Sequence, residues 1–434
     1  MAETPDIESA DYRRNFAAGL VHGIFFQASS ALANVQTVLP SFVALLTPSA
    51  LAVGSMAAVQ GAGQVIPQLF TAYLIEDRPR RKPILLWVIT LRWVSFGLLA
   101  FLTWRLGATR PGVVLGVFLV LFGMFSLAGG VGTVVYADVF AKAIPTRRRG
   151  RFIGWRQLLG YGLAIAAGYL VKAVLGNERI AFPSNYALIF AFSALALLVA
   201  FTGFAMIREP VYPVERRSNS LGDLLRRAWH LAGDNANFRW FLTTQALTMA
   251  VLSLGPFYVV FALGSGGVSR GQIGVFLAVQ MAGAAVSNLL WGWMGDRFGN
   301  RAVIVGVVLF GGLTPLAALA AGSAPGLFVV VFALMGSTIS GVRLGFNNMI
   351  LEMASVSLRP TCVALQNTLL TPVMLLPLVV GAVADAWTYA ALFWSGAALM
   401  LLGVFAALRI RDPRFDPEAV CVEKMWRTRL RSGR

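Results

Sequence analysis

The chain is poor in charge. Asp, Glu, Lys and Arg make up only 13% of its 434 residues, about half the share usual in a water-soluble domain. Hydrophobic residues make up 57%, and the mean hydropathy is +0.72. A soluble globular fold is excluded on these grounds. Cysteine is nearly absent: the two present, Cys362 and Cys421, fall on the side assigned below to the cytoplasm and imply no disulfide framework. No group of His, Cys and carboxylates has metal-ligand spacing, so neither a metal nor another cofactor is expected. There is no Gly-x4-Gly-Lys-Ser/Thr loop to hold a nucleotide. Nor does any Ser/His/Asp set or acidic pair stand out, so a membrane-embedded enzyme is not expected.

What the chain has instead is long apolar segments of about 20 residues, the length that crosses a bilayer as a helix. They are continuous rather than alternating, which excludes a β-barrel. Six spans are read at 15–42, 51–75, 84–104, 112–140, 152–175 and 185–207. Six more follow at 238–263, 271–294, 302–322, 326–354, 362–384 and 388–408. The expected fold is all-α and membrane-integral, with twelve transmembrane helices as two pseudo-symmetric six-helix bundles. The bundles cover 1–207 and 238–410, joined by a polar loop over 208–237 and followed by a basic tail over 411–434. Within the loop, Leu221 to His230 has the pattern of an amphipathic segment lying on the membrane surface.

The formal net charge of +17 raises the question of nucleic acid, whose footprint is a basic balance. Location argues against it. The bases gather in short connections at one end of the spans, such as Arg78, Arg80, Arg81 and Lys82, or Arg147, Arg148, Arg149 and Arg151. The opposite connections hold only Arg105, Arg110, Lys172, Arg179 and Arg270. The positive-inside rule then places both termini and the central loop in the cytoplasm. Arg13, Arg14 and the run Ala31-Leu32-Ala33 imitate a signal peptide. They are read as part of an uncleaved first span, since cleavage there would break the two-fold pairing.

That pairing is carried by a charged turn. Between two apolar segments stands Gly292-Trp293-Met294-Gly295-Asp296-Arg297-Phe298-Gly299-Asn300-Arg301. A weaker copy, Asp77-Arg78-Pro79-Arg80-Arg81-Lys82, stands in the first half. In both, Asp-Arg is followed four residues later by a base, Lys82 or Arg301. The first copy has Tyr73 and Arg80 where the second has glycines. After the fourth span Asp138 precedes Arg149 by eleven residues, as Asn348 precedes Arg359 after the tenth. On these residues the chain resembles the major facilitator superfamily of transporters over nearly its whole length.

The resemblance implies a gate. Asp77 would sit at the start of the eleventh span and Asp296 at the start of the fifth, where unpaired helix N–H groups favour an anion. Arg78, Lys82, Arg297 and Arg301 would work with acids at the ends of the fourth and tenth spans, Asp138 and Glu352. Gly292 and Gly299 would allow close helix approach.

The resemblance also assigns the first, fourth, seventh and tenth spans to the substrate cavity and the third, sixth, ninth and twelfth to outer support. Arg343, in the tenth, is then the better ligand candidate, and Arg92, in the third, is expected to pair with carbonyls or an acid. An arginine at helix centre costs about 2.5–3.5 kcal/mol on insertion scales, so each needs a partner or water. Candidate substrate groups are Arg343, Asn34, Gln245, Asn347, Gln64, Gln280 and Asn367. His22, in the first span, is the candidate for proton coupling. No carboxylate falls at mid-membrane, which favours an anionic or neutral polar solute over a cationic drug. Pro67, Pro315, Pro372 and Pro377 are expected to kink their spans.

The expectation is a secondary transporter of the inner or plasma membrane, active as a monomer, with a small-molecule substrate, the bilayer and a coupling proton or ion as partners. An exporter of amphipathic compounds, or a non-transporting receptor or assembly factor on the same scaffold, are the alternatives.

Overall fold

The structure is a computed structural model that describes residues 9–75, 78–210, 235–265, 267–354 and 359–416. All regular structure among them is helical. Asp77, Cys421 and the segment Leu221 to His230 lie outside the described residues.

The helices fall into twelve spans. The first is broken into Ser9–Leu32 and Val38–Leu46; Ala50–Leu74, Lys82–Leu106, Pro111–Ala143, Thr146–Leu175 and Ser184–Ala205 complete the first six. The seventh is also broken, into Ala236–Leu252 and Gly255–Gly264. Gln272–Phe298 and Asn300–Ala321 follow, then Pro325–Leu327 continuing into Phe328–Met353 as the tenth. The eleventh is Arg359–Leu370, the turn Thr371–Leu375 and Leu376–Ala386; Tyr389–Arg409 is the twelfth. Ten of these are long and apolar enough to cross a membrane. The other two are the broken first span and the second, which carries Gln60, Gln64 and Gln68.

The breaks have local causes. In the first span Asn34 turns its side chain back on the chain: Oδ1 accepts from Gln36 N at 2.8 Å and Thr37 Oγ1 at 3.1 Å. That pattern competes with helix, and the chain restarts at Val38. In the eleventh, Pro372 sits in a 3-10 turn and Pro377 opens the next helix, because proline removes a donor and is tolerated in a first turn. Pro67 and Pro315 lie inside continuous helices.

The chain forms two compact units, Met1–Arg216 with Ser269–Ala278, and Arg217–Val268 with Val279–Arg434. In the first unit, spans 2 and 4, 3 and 6, 1 and 6, 3 and 4, and 1 and 5 pack as pairs. Spans 2 and 4 meet at glycine: a Cβ on Gly130 would lie 2.7 Å from the carbonyl oxygens of Gly63 and Gln64. Close backbone approach of this kind is how apolar helices associate where no hydrophobic force separates them from lipid. The start of the eighth span groups with this unit for the same reason, since Gly274 lies against the backbone of Lys172 and Gly168. Rings of Phe42, Phe118, Phe190 and Tyr186 fill one end, with Tyr186 hydrogen-bonded to Ser41 at 2.8 Å.

In the second unit, span 9 packs against 10 and 12, and span 12 against 7. Trp291 is fully buried there and donates Nε1–H to Ser337 O at 3.0 Å.

Candidate functional site

At the end of each unit that carries the basic turn, chain segments are tied by the same set of bonds. In the first unit Asn15, near the start of span 1, donates to Arg208 O at 3.0 Å and accepts from Arg208 N at 2.8 Å. The next residue, Glu209, reaches the start of span 3. Its carboxylate accepts from Arg81 N at 3.0 Å, Lys82 N at 2.8 Å and Lys142 Nζ at 3.4 Å. The side chain is 4% exposed. A carboxylate here occupies the N–H groups and positive end of the helix dipole. Lys82 answers in the opposite sense, giving Nζ–H to Ala205 O at 2.6 Å and Ile207 O at 2.7 Å, at the end of span 6.

The second unit repeats this. Asn237, at the start of span 7, donates to Arg411 O at 3.0 Å and accepts from Arg411 N at 2.7 Å. Asp412 then accepts from Arg301 N at 3.0 Å, at the start of span 9. Arg301 gives Nη2–H to Leu408 O at 2.8 Å, at the end of span 12. The bases aligned in the sequence, Lys82 and Arg301, therefore cap corresponding helix ends.

The two ends differ around the acids of spans 4 and 10. Asp138 pairs with Arg81 from the turn and with Lys142 at 2.7 Å, one helical turn on. Glu352 instead pairs with Arg414 from beyond span 12, at 2.6 and 2.7 Å. That hydrogen bond raises the Arg414 guanidinium above its ordinary value, with help from nearby Asp412 and Asp296. Arg414 also donates to Gly295 O at 2.7 Å. Arg297 lies over the rings of Trp293 and Phe298. Asp296 and Arg78 are exposed.

Gly299 has φ +83°, and a Cβ there would collide with Asp412 Oδ2. The aligned place in the first unit holds Arg80, and among the described residues none but a glycine has a positive φ, so the first copy needs no glycine. Gly292 faces open space, with nothing within 4 Å of a Cβ built on it.

The polar residues inside the spans divide sharply. Asn34 is buried and its oxygen closes the break in span 1. Gln245 is buried and accepts from Gln366 Nε2 at 2.7 Å. Gln280 is 1% exposed. Arg343 and Asn347 lie one turn apart on an exposed face of span 10, and Gln64 and Asn367 are exposed on theirs. His22 is buried against Tyr136, Phe26 and Phe204, with Nδ1 3.0 Å from Ala200 O.

One expectation is corrected. Among the described residues no carbonyl or acid pairs with Arg92; its guanidinium stacks on Phe26 and Phe125, 4.8 and 4.0 Å from the ring centroids, and Nε is buried without a hydrogen bond. Cation–π attraction takes the place of a counter-ion.

Asn15, Asn237, Glu209, Asp412 and Arg414 were not legible as a set from charge counting. The signal was there: Arg208-Glu209-Pro210 and Arg411-Asp412-Pro413 follow the last span of each half.

The described helices form twelve spans, and the two halves repeat one bonding scheme. The sequence matches the Major Facilitator Superfamily over residues 21–267 and 241–431, and the chain belongs to that family. The uncharacterized proteins Rv2209 of Mycobacterium tuberculosis (strain H37Rv) and Mb2232 of Mycobacterium bovis are each 26% identical over 215 residues, 48% of this chain. The matched stretch covers 40% of the length of these curated relatives. Among solved structures, a mutant of the nucleoside transporter NupG is similar with TM-score 0.72 and 12% identity, over 92% of this chain and 99% of that one. A D-xylose-proton symporter gives 0.68 and 16%, over 92% and 97%. At these identities the likeness is one of fold. Family and neighbours point to a multi-pass membrane transporter rather than an enzyme.

Proposed function

We propose that the chain is a secondary transporter that moves a small organic solute, anionic or neutral and polar, by alternating access of its two halves. It would sit in the inner or plasma membrane with both termini in the cytoplasm. The observation that supports this best is the polar face of span 10, where Arg343 and Asn347 stand exposed one turn apart with Asn348 exposed beside them. A charged residue facing lipid is costly, so the face belongs against water or solute. Among the described residues, the acids of the spans lie towards helix ends, as Asp138, Glu352 and Asp385 do. A cationic substrate would find no carboxylate at mid-span. Structural neighbours are named for a nucleoside and for D-xylose but also for iron or another metal, so the substrate class rests on span 10 and not on them.

The paired ends carry the gating proposal. Lys82 and Arg301 join helix ends within each unit, and the exposed Asp296, Arg297 and Arg78 are left for the contacts that change with access; the gate role of Asp77 is part of the proposal and falls outside the described residues. His22 is bonded to a backbone carbonyl and enclosed by rings, which supports a packing role; His22→Gln is expected to leave the pH dependence of transport unchanged.

The test is solute uptake and counterflow in proteoliposomes, with nucleosides, sugars and monocarboxylates as a panel. Arg343→Ala should lower transport at least tenfold, and Asn347→Ala should raise KM, with thermal stability unchanged in both. Normal transport by Arg343→Ala would remove the span 10 site while leaving the transporter class standing. No transport of any panel member would favour the receptor or assembly-factor reading.

A further inference from the structure

The second unit has a cavity of about 600 Å³ at its basic end, open to the surface. Its floor is apolar: Val305, Gly306 and Leu309 from one face of span 9, Met294 and Phe298 from span 8, and Leu408 from span 12. Its mouth is charged, with Arg301, Arg411, Asp412 and Asp416.

These charges are not equivalent. Asp412 is 6% exposed and engaged on both oxygens, Oδ2 by Arg301 N and Oδ1 by Arg414 N. Its charge is used on the start of span 9. Arg411 is exposed, and its guanidinium meets Asp416 only at 3.6 Å. With Asp412 spent on backbone N–H groups, the mouth presents Arg301 and Arg411 beside one further acid, Asp416.

An apolar trough ending in arginines, at the level where a helix bundle leaves the hydrocarbon, has the chemistry of a phospholipid. Acyl chain fits floor, and phosphate fits mouth. Basic pockets between membrane helices take anionic headgroups in this way. We propose that this groove between spans 8, 9 and 12 is a binding site for one anionic phospholipid, with Leu309 and Val305 against the acyl chain and Arg411 and Arg301 on the phosphate. Because Arg301 and Asp412 also tie span 9 to span 12, the lipid steadies that end of the unit. The site does not depend on the nature of the transported solute.

The full-length purified protein is delipidated in neutral detergent and titrated with phosphatidylglycerol or phosphatidylcholine. Retained lipid is counted by native mass spectrometry and stability is followed by thermal shift. One phosphatidylglycerol should be retained, and should raise the melting midpoint more than phosphatidylcholine does. Arg411→Gln, whose backbone clasp to Asn237 does not involve the side chain, should weaken retention about fivefold. Leu309→Trp should abolish it by filling the trough, while Arg147→Gln, at an exposed base of the first unit, should have no effect. Equal retention of both lipids, an equal loss in Arg147→Gln, or unchanged binding in Leu309→Trp would overturn the proposal.

Discussion

Asn15 holds Arg208 by its backbone in both directions, Nδ2 to the carbonyl at 3.0 Å and Oδ1 from the amide at 2.8 Å. Asn237 holds Arg411 in the same way. An amide is the side chain suited to this, because it offers a donor and an acceptor side by side, the complement of a peptide group. The pair fixes where the chain leaves the sixth and twelfth spans, and thereby where Glu209 and Asp412 reach.

Asn15→Ala and Asn237→Ala should each lower stability by at least about 2 kcal/mol, from the two clasp hydrogen bonds at about 1 kcal/mol each; Asn15 also gives up a longer bond to Ala143 O at 3.4 Å. Because the sites lie in separate units, the double substitution should be close to additive. Thermal unfolding of the purified protein checks this; a large loss at one site and none at the other would contradict the repeated role.

Gly299→Ala and Gly292→Ala separate two glycines of one motif. The first has a left-handed φ and Asp412 in the way, so alanine should cost at least about 1–2 kcal/mol and displace Asp412 from Arg301 N. The second lies in a helix beside open space, where alanine should stabilise by about 0.5–1 kcal/mol. Melting midpoints that move the same way in both would refute the distinction.

Glu209→Ala removes the nearly buried acceptor of Arg81 N and Lys82 N and the more distant of the two acids that meet Lys142 Nζ. A loss of about 3 kcal/mol is expected, and it should persist in high salt. Asp11→Ala removes an exposed pair with Arg208 and should change stability by no more than about 1 kcal/mol. The comparison is made by melting at low and high salt.

Arg92→Met should raise the melting midpoint. The guanidinium Nε is buried without a hydrogen bond and no acid among the described residues pairs with it, so a flexible apolar chain keeps the contact with Phe26 and Phe125 and removes the cost of burying charge. A lower midpoint would show that the cation itself holds spans 1, 3 and 4 together.

Gln245 and Gln366 form a buried amide pair between spans 7 and 11. A double-mutant cycle with leucine at both positions should return a coupling of about 0.6 kcal/mol, the average for polar contacts in membrane helices. Zero coupling would mean that the two side chains are satisfied independently.

Much of the fold was legible in the sequence for one reason: backbone groups in lipid must be satisfied within the segment, so an apolar run of sufficient length becomes a helix. The breaks were harder. Asn34 reads as a buried polar candidate until its oxygen is seen capping Gln36 and Thr37, a local bond that competes with the helix. Pro372 and Pro377 announced the break in span 11, and Gly255-Pro256 marks the one in span 7, with Pro256 in the first turn of the restarted helix.

The site was less legible. Arg81 and Asp138, or Arg414 and Glu352, lie far apart in sequence, and nothing in their spacing chooses a partner. Charge counting finds a basic end but cannot say that Glu352 takes its cation from beyond span 12 rather than from the turn. Nor can it tell an amide spent on another amide, as Gln245 is, from one left exposed, as Asn347 is.

By itself the sequence determined that the chain lives in a bilayer, how many times it crosses and that its halves repeat, because hydrophobic length and charge placement are local properties summed along a chain. Tertiary structure decided which polar groups satisfy each other, since a hydrogen bond extends only about 3 Å and depends on which helix faces arrive together. That is why Asn15, Glu209 and their counterparts came into view as clasps only in the folded protein.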